Sequence, residues 1–108
     1  MGYLRVITEL HARRAGLVLE ERELFENLGS SVDIGQAAKR GAYSLQITET
    51  VHKSESGKIS IDEFVDIIDT QKSAIVFSME GSRIFDRAEA ERTIEQEIKK
   101  YFVDPLVL

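Results

Sequence analysis

Cysteine is absent from this chain of 108 residues. That excludes disulfides, thiolate chemistry, zinc fingers and iron–sulfur clusters. No apolar run approaches the ~20 residues needed to cross a bilayer, and the N-terminus lacks the apolar core of a signal peptide. The expected setting is therefore cytoplasmic, with no membrane partner. Positive charge is not in excess: 14 Lys+Arg stand against 19 Asp+Glu, a net charge of −5. Arg13-Arg14, Lys39-Arg40 and Lys99-Lys100 are isolated pairs without interleaved aromatics, which argues against a nucleic-acid partner. A nucleophile elbow, a phosphate-binding glycine loop and a dinucleotide fingerprint are all missing. The two histidines, His11 and His52, lack a metal-type partner at i+3 or i+4, and both are expected at the surface. No enzyme and no cofactor are expected.

Hydrophobic residues make up 43% and charged residues 31% of the chain, the balance of a folded domain rather than a disordered segment. The length fits one domain over 1–108. In residues 3–28, Tyr3, Ile7, Leu10, Leu17, Leu24 and Leu28 recur at spacings of three, four or seven, as one side of a helix requires. Gly16 allows either one long helix or two broken near Arg14 to Leu17, with Leu17-Val18-Leu19 open to a short strand. Leu28-Gly29-Ser30-Ser31 marks a break, and residues 33–51 read as a second helix weakened by Gly35 and Gly41.

After a polar loop at 53–58, Ser60-Ile61-Asp62-Glu63 has the capping-box pattern. It predicts a helix with Phe64, Ile67 and Ile68 on one face. Asp62, Asp66 and Asp69 would share another face of that helix, as a solvated stripe. Residues 73–79 are rich in β-branched and aromatic residues and read as a strand; Glu80-Gly81-Ser82 is turn chemistry, and Arg83-Ile84-Phe85 would pair back. Asp86 caps a last helix over about 87–102, supported by Glu95 with Lys99 at i,i+4 and ended by Pro105. The expected fold class is α+β: a helix-dominated small domain with three or four helices and one short β-hairpin near 73–85.

One local pattern suggests a ligand. His52-Lys53-Ser54-Glu55-Ser56-Gly57-Lys58-Ile59-Ser60-Ile61-Asp62-Glu63-Phe64 resembles, in its second half, the calcium loop of the EF-hand family. The resemblance puts Gly57 at the sharp turn, Ile59 in the pairing position and Glu63 as the carboxylate clamp. Ser54 and Ser56 stand where that family offers Asp or Asn, so the implied metal ligands are Ser54, Ser56 and Glu63, with Glu63 the only carboxylate. Calcium is not expected to bind, because a loop followed by a capped helix explains the same residues.

The function expected is a small acidic, non-enzymatic protein-binding or assembly protein that associates with itself, in the manner of a chaperone, an inhibitor or immunity protein, or a regulatory subunit. The partner-binding residues expected are Ile75, Phe77 and Met79 of the strand and Leu106 and Leu108 of the apolar terminus. An EF-hand-like, metal-responsive module using the 52–63 loop is the alternative. A carboxylate enzyme built on Glu63, Asp66 and His52 ranks last.

Overall fold

Between residues 31 and 80 the governing period is two rather than 3.6, and most of the chain expected as helix is sheet. The computed structural model describes residues 2–27 and 31–106. Helix α1 (Tyr3–Arg14) is followed by strands β1 (Glu20–Asn27), β2 (Ser31–Arg40), β3 (Tyr43–Lys53), β4 (Ile59–Asp69) and β5 (Ala74–Glu80). Helix α2 (Arg87–Ile98) then runs into a π-helical turn at Lys99–Val103 and a 3-10 turn at Asp104–Leu106. The strands form one antiparallel meander whose spatial order is the chain order. Both helices pack on one face of it, sharing a core with the sheet.

The helix-dominated reading is thus overturned: the described residues hold two α-helices and a five-stranded sheet. The reason lies in the alternation. Residues opposed in antiparallel register share a face. Leu45 lies opposite Ile67, and Ile47 opposite Val65, all four buried beneath the helices. Ser44, Gln46, Thr48 and Thr50 point to the other, more polar face. Phe64, Ile67 and Ile68 look like a helical stripe at i, i+3, i+4, yet on β4 they divide between the two faces. The Ser60 and Glu63 capping box is likewise split across the sheet. Density of β-branched residues (Ile47, Thr48, Thr50, Val51, Ile59, Ile61, Val65, Ile67 and Ile68) outweighs weak helix signals here.

The helical reading of 3–28 holds only for its first half: Glu20–Asn27 is strand β1, not a second helix. Helix α1 stops at Arg14 through a Schellman ending: the Leu17 N–H donates to the Ala12 carbonyl at 2.9 Å and the Gly16 N–H to the Arg13 carbonyl at 2.9 Å. Gly16 takes φ +78°, which disfavours any residue with a Cβ. Asp86 caps α2, accepting the Glu89 N–H at 3.2 Å. Of the hairpin at 73–85 only the first strand exists, since Gly81–Arg83 is a 3-10 turn that leads the chain to α2. The break expected at 28–31 falls largely outside the described residues.

The sheet holds α1 at both ends. Gly2, at its N-cap, offers no side chain; instead Glu63 of β4 accepts the Arg5 N–H at 2.9 Å. A Cβ on Gly2 would overlap the Glu63 carboxyl, so a larger residue there would push that carboxylate off the helix end. At the other end Arg40 of β2 donates to the Ala15 and Phe102 carbonyls, both at 2.9 Å. One guanidinium therefore satisfies the C-terminal ends of both helical segments, where the dipole favours a cation. Arg5 also reaches down to Glu49, buried on β3, and sideways to Glu9. The two carboxylates, Glu9 first and then Glu49, raise the Arg5 pKa above its ordinary value against the opposing effect of burial.

These clamps predict a measurable loss. Glu63→Ala should destabilise the fold by about 1 kcal/mol, the usual value of a helix N-cap. Arg40→Met, which frees two helix-end carbonyls, should cost about 2 kcal/mol. Urea unfolding followed by circular dichroism measures both. Midpoints unchanged from the parent would show that neither end contact holds the helices.

Candidate functional site: the uncharged sheet edge

A sheet has two edges, and here they differ in chemistry. The β1 edge begins Glu20-Glu21-Arg22-Glu23, the charge pattern that discourages another strand from pairing. The β5 edge reads Ala-Ile-Val-Phe-Ser-Met-Glu, with one charge, no lysine and no proline. Its register with β4 shifts between Ile67 and Ile68, so Val76 is the extra residue of a bulge. Residues 77–80 pair regularly with residues 64–67.

Side-chain placement follows from that register. Phe77 and Met79 point to the helix side and pack partly buried against the core. Ile75 lies opposite Ile68 on the other face and is 63% exposed. Beyond the strand, Phe85 is 96% exposed, an unusual position for so large an apolar side chain. Between the end of β5 and α2 lies an open groove of about 390 Å3 whose apolar lining includes Met79, Ile84, Phe85 and Ala90. Glu80, Asp86 and Glu89 make its rim acidic, and Glu80 also meets Arg83 at 3.5 Å.

The expected partner-binding residues divide accordingly. Ile75, Phe77 and Met79 all lie on the edge strand, though only Ile75 offers most of its side chain to solvent. Leu106 ends the final turn, and Leu108 lies outside the described residues. Phe85 and the flanking charges Lys72 and Glu80 were not expected to contribute. The signal for them is the contrast in charge between 20–23 and 74–80, which has meaning only once both segments are recognised as edges.

The implied metal ligands do not converge. Ser54 and Ser56 face each other across 2.9 Å in the β3–β4 turn, and the Lys58 N–H donates to the Ser54 hydroxyl at 3.1 Å. Glu63 is up the strand on the helix face, occupied with the Arg5 N–H. Gly57 does make the sharp turn, at φ +82°, but strands rather than helices flank it. Among the described residues no group of three or more His, Asp or Glu is placed to hold a metal ion.

Nor do Glu63, Asp66 and His52 assemble. His52 meets Asp62 at 3.0 Å on the face away from the helices, Asp66 shares that face, and Glu63 is on the opposite one. The acidic stripe is split in the same way. Asp69 is buried toward the helix side, accepting the Gln71 and Lys72 N–H groups at 3.0 and 3.1 Å. His11, expected at the surface, is 6% exposed and bridges α1 to Glu91 of α2 at 3.0 Å.

No protein-family model, curated protein or solved structure matches this chain. No helix among the described residues is long and apolar enough to cross a membrane. The separation of Glu63 from the loop serines predicts that calcium titration to about 10 mM releases no binding heat, far above the affinity range of EF-hand sites. Glu63→Gln should lower the thermal midpoint equally with and without calcium. A calcium-dependent rise in that midpoint, lost in the variant, would contradict this placement.

Proposed function

We propose that the protein is a non-enzymatic assembly module, working in the cytoplasm, that self-associates by adding β5 of one copy to β5 of a second. The observation that carries this reading is the contrast between the charged β1 edge and the nearly uncharged β5 edge. An unblunted edge presents main-chain donors and acceptors for which another strand is the natural complement. The segment is also self-complementary in charge. Lys72 stands just before β5 and Glu80 at its end, so in an antiparallel two-fold copy aligned about Val76 each Glu80 approaches the Lys72 of the partner. The two-fold repeats that contact, as an isologous interface must. Ile75 and the exposed Phe85 lie near the same edge and supply apolar area. The division of Glu63, Asp66 and His52 between two faces weighs against an enzyme built on them.

Light scattering over about a hundredfold range of concentration tests this. The parent protein should be a dimer, and Ile75→Lys a folded monomer by circular dichroism. Lys72→Glu and Glu80→Lys should each weaken the dimer roughly three- to tenfold, as exposed charge pairs repeated by symmetry do. The double variant should recover most of the loss. A parent protein monomeric throughout, or a double variant no better than its parents, would overturn the reading.

A further inference from the structure

The face away from the helices carries a second, chemically different feature. A pocket of about 470 Å3 opens at its end, lined by Glu20, Lys39, Ser44, Gln46 and Ile68 of that face and, where the chain leaves α1, by Leu17, Val18 and Arg40. The size is that of small-molecule sites. The register arranges these side chains in two adjacent rows. One runs Glu20, Ala37, Gln46; the next runs Lys39, Ser44, Ile68. Successive residues on one face of a strand are about 7 Å apart, so a carboxylate with an amide stands about that far from an ammonium with a hydroxyl.

The polar groups are unspent. Glu20 and Lys39 line the same pocket yet form no ion pair with each other, and neither side chain has a hydrogen bond to another described residue. Ser44 is only 8% exposed, and its hydroxyl has no protein partner among the described residues. That hydroxyl is nevertheless not among the buried polar atoms cut off from any partner, so what accessibility it has is toward the pocket. A nine-tenths buried hydroxyl left open to a cavity is a group awaiting an acceptor or donor. Small residues, Ala37 and Ser44, form the floor, while Leu17, Val18 and Ile68 supply apolar wall.

We propose that this pocket binds a small zwitterion, a free α-amino acid with an apolar side chain. Its carboxylate meets Lys39 and the Ser44 hydroxyl, its ammonium meets Glu20 and the Gln46 amide oxygen, and its side chain lies against Val18 and Ile68. The site lies away from the outer edge of β5 and does not depend on the pairing of that strand.

Backbone amide chemical shifts recorded during titration test it, with three probes: leucine, N-acetyl-leucine, which lacks the ammonium, and leucinamide, which lacks the carboxylate. Leucine should move the signals of residues 37–39 and 44–46 in a saturable way. Each blocked form should bind at least about tenfold more weakly, the loss expected when one charge-assisted contact is removed. Lys39→Met should abolish the preference for leucine over leucinamide while the rest of the spectrum stays that of the folded parent. No saturable shift with leucine up to about 10 mM would overturn the proposal. So would three probes binding alike, which would mark a nonspecific apolar contact.

Discussion

The architecture rests on a match of lengths. Helix α1 has 12 residues and is about 18 Å long at the α-helical rise. Its ends meet Glu63 at one side and Arg40 at the other. Arg40 is level with Tyr43 and hence with Asp69, six residues from Glu63 along β4, or about 20 Å at the strand rise. The helix fits between an acid and a base that the sheet supplies, each of the sign that its dipole favours. The buried core of Leu4, Ile7, Leu45, Ile47, Val65 and Ile67 occupies the space between these two clamps. Phe102 joins it from the far end, beside Tyr43.

Because the clamps set where the helical layer ends, they also set what it leaves uncovered. β4 continues four residues beyond Glu63 to Ile59, about 13 Å of sheet with no helix above it. Ile59 and Ile61 are exposed there, and Ile34 is exposed in the row of Glu63 itself. The molecule is correspondingly long, 54 Å by 30 Å by 21 Å. The helices likewise leave the outer edge of β5 open, and the pocket opens at the end of α1, where the helical layer stops. The main candidate surfaces therefore follow from a short two-helix layer on a longer sheet.

What was legible in the chain were features set by neighbours in sequence. Asp86 caps α2 because its carboxylate reaches an N–H three residues on, and 74–80 is a strand because bulky β-branched and aromatic residues are dense there. The edge residues Ile75, Phe77 and Met79 were found for the same reason. Residues 20–27, 33–51 and 60–69 were misread as helix because positions four apart share a face in both periods, so alternating strands also satisfy a helical template. Ser60 and Glu63 show the ambiguity most clearly. Their spacing suggests reciprocal capping within one helix, whereas Glu63 caps a different helix from across the fold. Contacts with partners 25 to 62 residues away, such as those of Arg40, and rows such as Lys39 beside Ser44 exist only after the strands are in register. No local pattern encodes them.

The most direct measurement is residue-resolved amide hydrogen exchange at two protein concentrations about a hundredfold apart. Pairing of β5 with a second copy predicts that amides in residues 74–80 gain protection at the higher concentration, since association stabilises only the paired state. Amides of the charged edge, residues 20–27, should exchange at the same rate in both samples. Exchange in residues 74–80 that is fast and independent of concentration would contradict strand addition at this edge.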